Sequence, residues 1–549
     1  MSDIVNSDTH RRDVLKILGV GAMATTAGCL GGDDDEDIAG GPVPEIEIIT
    51  FPRTDVPVQF EIATRISESW EELGIETSIE AMTFDVIIEE VYENHDFFCR
   101  TGGWGGSPER IDPNFYLRQV LHSDQWTPDG SNIYLYENEE FDELSEQQSA
   151  MLEYEERKEL TDQSLEIAAS DVPLVPTIVT GVVEAYNSDR IYLNPEMKMT
   201  NQGIGSFWNY LTVEVLEGEN ELLEGDVREV ESINPLRTRE QKNRMLFRLV
   251  YDRLMRINPD LEPEPWAAET VEIIDNTEIK VILRDDLQFH DGEPVTAEDV
   301  AFSFEIQQEH SPTTSGFIDV VEEVIVDGEY ELTITLSEPH APFIQNGLAF
   351  VFILPKHIWE NVDEPLDWSN EEMIGSGPFE LVDYQVDEQV ILEANENHFR
   401  PPNVDRVVSI FAPEETINRR IEAEELDAQT TGTRFQQDAV ERLQEEDHVE
   451  LYTAGAIGAS DLQFNTQRAP FDDRAFRRAM AHTVPRDAII QDLLGEDFAE
   501  PAHSLIVEAN ERWHNEDIER FEFDLDEARS KLEDAGYTWV DGRLHYPEE

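Results

Sequence analysis

The chain has 549 residues, more than one hydrophobic core usually organises, so two or three lobes are expected. Against 121 acidic residues stand 39 basic ones, 32 Arg and only 7 Lys, giving a net charge of −82. A surface this acidic excludes nucleic acid and acidic lipid as partners and fits molar salt, where the Debye length shrinks to roughly 3 Å and carboxylate repulsion is screened. With 40% hydrophobic residues in recurring amphipathic segments, the chain is globular despite its 29% charged residues.

At the start, His10-Arg11-Arg12-Asp13 precedes an apolar run from Val14 to Ala27 and then Thr26-Ala27-Gly28-Cys29. This resembles a twin-arginine export signal over residues 1–29 that ends in a lipobox, where Cys29 would carry the lipid, although Thr26 stands where Leu is common. The run is short, glycine-containing and interrupted by Lys16, so a permanent transmembrane helix is the weaker reading. Residues 30–45 read as a flexible acidic tether. The other cysteine, Cys99, follows Phe97-Phe98 and reads as a buried free thiol.

Beyond the tether, alternation predicts a strand over 46–51, a helix over 59–73 stopped by Gly74, and a strand over 75–81, together a βαβ unit. A helix over 84–92 and a strand over 96–101 lead to a Gly-rich turn. Helices with solvated carboxylates come next, between 142 and 170. Short alternating strands mark the middle of the chain, among them 278–284 and 330–336, and Thr296…Asp299 forms a capping box. Near the end, a helix over 524–535 opens on Asp524…Glu527 and stops at Gly536. Residues 537–540, an Asp541-Gly542 turn and 543–546 then begin a hairpin whose outer strand finds no partner further along the chain.

Five stretches carry a resemblance: "YDRLMRINPDLEPEPWAAE" (251–269), "LRDDLQFHDGEPVTAEDVAFSFE" (283–305), "IGSGPFELVDY" (374–384), "LQFNTQRAPFDDRAFRRAMAHTVPRDAII" (462–490) and "FDLDEARSKLEDAGY" (523–537). Together they resemble the family 5 extracellular solute-binding proteins, the peptide and nickel receptors of ABC importers. The whole has the look of a haloarchaeal-like lipoprotein. The order is unusual. In the family a "GW…DP" segment lies near the C-terminus, whereas "GGWGGSPERIDPNFYL" (102–117) comes first here. Residues 46–81 supply the strand, helix and strand that should come after "DGRL". A circular permutation is therefore expected, with the ancestral ends fused between Tyr210 and Asn234, a polar stretch that tolerates such a join.

The resemblance implies an α/β fold of the two-lobe periplasmic-binding-protein type (type II, with an extra subdomain) and a ligand cleft between the lobes. Residues 46–185 plus 463–549 are expected to form one lobe. Residues 186–462 form the other, with the subdomain near 248–373. It also implies a non-enzymatic receptor on the outer face of the cytoplasmic membrane. The receptor would be monomeric and held by its lipid alone, closing on a small molecule, a peptide by preference, for an ABC permease and ATPase. No cofactor is expected.

In peptide-binding relatives the Trp of "GW" lines the pocket and an Asp three residues later holds the ligand ammonium. Trp104 matches the Trp, with core packing as the alternative, but Ser107 stands in the Asp position, so the anchor is absent unless Glu109 or Asp112 reaches in. Gly105 and Gly106 read as a ligand-lining turn, since no phosphate-loop Lys-Ser/Thr comes after them. Arg53 falls where dipeptide-binding relatives place a carboxylate partner, and reads equally as a surface arginine. Asn465 and Thr238 are cleft-edge candidates for which structural capping is as good a reading. No metal-ligand spacing, Walker loop or nucleophile elbow occurs, and His290-Asp291-Gly292 reads as a turn rather than a catalytic pair. A sugar or metal-complex ligand, or a sensory lipoprotein, remains open.

Overall fold

The computed structural model describes residues 39–548 except 107, 128–129, 201, 228–229, 231, 238–240, 312–313, 431–436 and 494–497. The export signal, Cys29 and most of the tether lie outside the described residues. Two mixed sheets define two lobes. The terminal lobe holds a five-stranded sheet in the order Thr77–Ala81, Ile46–Thr50, Cys99–Gly103, Ser460–Phe464, Leu174–Pro176. Its first three strands run parallel and the last two pairings are antiparallel, with one strand from the second half of the sequence inserted between strands of the first.

Parallel strands need a crossover, and the helix Pro57–Glu72 supplies it, with proline in its first turn where a missing N–H costs nothing. The helix buries Ile62, Ala63, Ile66 and Trp70. Trp70 meets Phe471 with ring centroids 5.9 Å apart, and its indole N–H donates to Thr483 Oγ1 at 2.7 Å. Phe471 in turn stacks on Phe464, and Phe476 packs on Tyr537. Burying a ring of this size removes roughly 200 Å² from water, about 5 kcal/mol, and here that gain welds residue 70 to residues 471–483.

The chain's end finds its missing partner at its beginning. Asp524 caps the helix Leu525–Asp534 by accepting from the N–H groups of Asp526 and Glu527, and the hairpin Thr538–Val540/Arg543–His545 comes after it. The Leu544 carbonyl accepts from the Val43 N–H, while the Leu544 N–H donates to the Gly74 carbonyl, both at 2.9 Å. Gly40 and Tyr546 extend the ladder, donating to the carbonyls of Pro547 and Gly41. Gly74 is obligatory, since φ is +80° and a Cβ would lie 2.2 Å from the Gly542 carbonyl oxygen. Residues 40–43 thus pair with the strand that closes the sequence.

The central lobe carries a seven-stranded sheet: Phe379–Gln385, Gln389–Ala394, Arg406–Phe411, Glu221–Asp226, Ala428–Gln429, Val182–Asn187, Val449–Ala454. A four-stranded antiparallel sheet (Ala268–Asp275, Glu278–Leu283, Glu331–Leu336, Val321–Gly328) forms the smaller subdomain, flanked by the helix Ala297–His310 with both halves of the Thr296/Asp299 capping box in place. The polar stretch expected as a loose join contains the strand Glu221–Asp226, which pairs in parallel with 406–411. Its carboxylates are buried because they have partners; Tyr210 donates to Glu224 Oε2 at 2.7 Å, and Thr430 to Asp226. The exposed turn 216–220 lies outside the strand.

The chain crosses between sheets twice, over 176–182 and 454–460. Both crossings precede the sequence-based boundaries at 185 and 462, because Val182–Asn187 pairs with Val449–Ala454 inside the central sheet. The first crossing is stiffened by Ile178–Thr180, which pairs antiparallel with Ala499–Pro501.

Candidate ligand cleft

The Gly-rich segment starts where the strand Cys99–Gly103 ends and lies on the second crossing. A Cβ at Gly458 would sit 2.2 Å from the Trp104 carbonyl oxygen and 2.4 Å from the Gly106 nitrogen, so only glycine permits this approach. Trp104 is half-buried and donates its indole N–H to Tyr134 Oη at 2.9 Å, with its ring edge-on to Phe115. Arg110 covers the rings of Trp104 and Phe115 and donates to the Gly105 carbonyl at 2.6 Å, which pins the loop from outside. Ser107 lies outside the described residues, as does the side chain of Glu109, whose backbone belongs to the single turn Pro108–Arg110.

Asp112 does not reach a ligand. It is 1% exposed, and its two oxygens accept from both terminal nitrogens of Arg157 at 2.6 and 2.8 Å, with a further bond from the Asn114 N–H. A carboxylate saturated in this way braces the loop against the helix Tyr154–Asp171. Arg53 stands apart, exposed at the entry to the helix Pro57–Glu72 and paired with Glu61 at 2.9 Å. Asn465 is buried, donating to the carbonyls of His95 and Phe97 and accepting from the Gln467 N–H, which is the capping role. Thr238 lies outside the described residues. Of the described residues singled out from sequence, Trp104, Gly105 and Gly106 come together at the crossing.

Sequence reasoning missed a polar cluster beneath that loop. Arg100 pairs in register with Gln463 and Gly102 with Asp461, so the three side chains share one sheet face. The Arg100 guanidinium sits between the rings of Phe51 and Tyr92, with Nε and Nη1 buried and lacking an acceptor. Gln463 donates to Asp461 Oδ1 at 2.7 Å. Burial pushes the Asp461 carboxyl up to about 7, against the opposing pull of Arg100 and the Gln463 bond. The available signal was period two: Arg100 and Gly102 fall on one face of the strand Cys99–Gly103.

The central lobe faces this loop with a cavity of about 30 Å³. Pro108 borders it from the terminal lobe; Met199, Gln202, Phe207, Trp208 and three arginines, Arg248, Arg253 and Arg256, border it from the other. Arg256 lies 3.6 Å from the Phe207 ring centroid, and Arg253 lies over Phe352 and donates to the Ala349 carbonyl. At the rim the lobes touch through Arg512 and Glu262 at 2.8 Å and through the Ala341 N–H donating to the Ser149 carbonyl.

Residues 262–548, just over half of the chain, match the family described as bacterial extracellular solute-binding proteins, family 5 middle region. The chain belongs to this family. It is 24% identical over 336 residues to the oligopeptide-binding protein AppA of Bacillus subtilis, covering 59% of this chain and 60% of that protein. It is 29% identical over 269 residues to a putative ABC transporter peptide-binding protein of Brucella ovis, covering 46% and 48%. Among solved structures, the ABC transporter substrate-binding protein CtaP of Listeria monocytogenes aligns with a TM-score of 0.50 at 23% identity, covering 59% of this chain and 66% of that one. The chain thus spans about half to three fifths of the length of these curated relatives. Family 5 proteins are solute-binding receptors of ABC transporters with two lobes, and they are not enzymes. Among the described residues no group of three or more His, Cys, Asp or Glu is placed to hold a metal, and no helix is long and apolar enough to cross a membrane.

Asp461 provides a test of the cluster under the loop. Its folded pKa of about 7 lies above the ordinary carboxylate value, so the folded chain holds a proton that the unfolded chain has released. Stability from this group is therefore full below about pH 4 and is lost as pH rises through 7, by on the order of 4 kcal/mol at most. In chemical melts at constant molar salt, Asp461→Asn should be more stable than the parent at pH 8, and the gap should close towards pH 5. A gap that stays constant from pH 5 to 8 contradicts the assignment.

Proposed function

We propose that this chain is an exported, lipid-anchored receptor of an ABC importer, which encloses a peptide between its lobes and presents the closed form to a membrane permease and its ATPase. The observation that carries this reading is the packing of the Trp104 loop on the Gly458 crossing, opposite a cavity of the central lobe. A ligand touching both walls is bound more tightly when the lobes are closed, so it shifts the population towards closure. The names of the relatives favour peptides as the class. Saturation of Asp112 by Arg157, with Ser107 in the usual anchor position, favours a second reading: a ligand without a free ammonium group, such as a sugar or metal complex.

The chain order is a circular permutation of the family's order, with the old ends joined at the exposed turn 216–220. One observation supports it: residues 40–43 pair with residues 544–547. The net charge of −82 supports work in molar salt by a monomer. Cys29 bears the lipid, and mass spectrometry of the mature protein should find a diacylglyceryl-modified cysteine as the first residue; an unmodified start elsewhere removes the anchor.

A thermal-shift screen in molar salt with di- and oligopeptides, oligosaccharides and nickel complexes tests the ligand class, since a ligand that binds only the folded state raises its melting temperature. Peptides should raise it, by about 2 to 4 °C for a stabilisation near 1 kcal/mol in domains of this size. A rise with sugars or nickel complexes alone establishes the second reading.

A further inference from the structure

We propose that the contact between the lobes at their rim is a latch that holds them together, with the Arg512–Glu262 ion pair as its clasp; this rests on the reading of the chain as a receptor that closes. The contact joins one corner of the terminal lobe to two turns of the central lobe. Arg512 donates to Glu262 Oε1 at 2.8 Å, and the Ala341 N–H donates to the Ser149 carbonyl at 2.7 Å. Ser149 lies in the last turn of the helix Glu139–Ala150, where a carbonyl has no partner within its own helix. The other lobe supplies the missing donor.

Both partners of the ion pair are ordered before they meet. The Arg512 guanidinium lies 4.2 Å from the Tyr154 ring centroid and 5.7 Å from that of Trp513, and the Tyr154 hydroxyl donates to the Arg512 carbonyl at 2.8 Å. Side chain and backbone are thus both held. Trp513 also packs under Arg157, the partner of Asp112, which ties the clasp to the brace of the Trp104 loop. Glu262 is ordered through its backbone: Asn258 Oδ1 accepts from its N–H at 2.9 Å, and the Asn258 N–H donates to its carbonyl at 2.8 Å. A guanidinium set by two rings loses little further freedom on pairing, which is the cost that cancels most surface ion pairs.

Net charge explains why a specific clasp is needed. With 121 acidic against 39 basic residues, lobes that approach each other bring like charges together. Molar salt confines that repulsion to roughly 3 Å but adds no attraction of its own. The groups that meet at the rim are instead an arginine and a glutamate, an amide and a carbonyl, and His340. His340 faces Asp112 and Arg157 of the terminal lobe and Glu338 of its own turn, and burial lowers its pKa, so at neutral pH it brings no charge towards Arg157. Donors and acceptors here come from different lobes, so these bonds break when the lobes part and favour the closed form alone.

The Ala341 N–H reads the latch directly, because its acceptor lies in the other lobe. Hydrogen exchange is followed by mass spectrometry in molar KCl, without ligand, with overlapping peptides that isolate Ala341 and with peptides over the strands Glu331–Leu336 and Ser460–Phe464, one from each side of the contact. Arg512→Gln and Glu262→Gln should each speed exchange at Ala341 about 2- to 5-fold, the range of an exposed ion pair, and leave both strands unchanged. The double variant should exchange no faster than either single one, and Arg512→Glu combined with Glu262→Arg should restore protection. The latch is overturned if Ala341 exchanges as an unprotected amide in the parent, if the single variants leave its rate unchanged, or if the two strands speed up with it. No ligand enters this experiment, so any of those results removes the latch and leaves the receptor reading to the thermal-shift screen.

Discussion

One buried contact, Trp70 against Phe471 with its N–H on Thr483, joins parts of the chain some four hundred residues apart. The terminal lobe depends on it. The helix that carries Trp70 bridges the parallel strands of the first βαβ unit, and the helices after Phe471 cover the same sheet face from the other end. Neither half encloses a core alone: Ile48 and Cys99 from one part pack with Leu462 and Phe464 from the other. The edge pairing of residues 40–43 with 544–547 closes the same unit.

From that lobe comes the placement of the cleft. Among the described residues two crossings connect the sheets, and the Trp104 loop lies on one of them so closely that Gly458 tolerates no side chain. The loop is braced on three sides: by Tyr134 below, by Arg110 outside and by the Asp112–Arg157 pair behind.

Much of this was legible in the sequence where local chemistry decides. The helix containing Trp70, the Thr296/Asp299 capping box and the final helix and hairpin can be read from periodicity, caps and glycine stops. Five motifs named the family, and the dangling strand at the end of the chain pointed to a partner at its start. What local pattern could not show was pairing across distance. Asp112 looked available because Arg157 is 45 positions away, and Asn465 looked like a cleft residue until its three backbone bonds were seen. The stretch 221–226 read as a join because Glu224 and Asp226 are acidic, yet partners on neighbouring elements let both be buried in mid-sheet. Arg100 and Asp461 escaped notice for the same reason: each is an isolated charge in its own strand, and sheet register alone brings them together.

If the terminal lobe is one folding unit whose ends were once continuous, the two ends can be rejoined without loss. Residue 548 is linked to residue 40 through about three residues, the chain is opened at 216–220, and thermal melts in molar salt are compared with those of the natural order. The ends are already within hydrogen-bond distance, so the rejoined chain should fold, melt in the same transitions and give the same ligand-induced shift. A rejoined chain that fails to fold, or that melts with the terminal lobe as a separate and weaker transition, contradicts a once-continuous lobe.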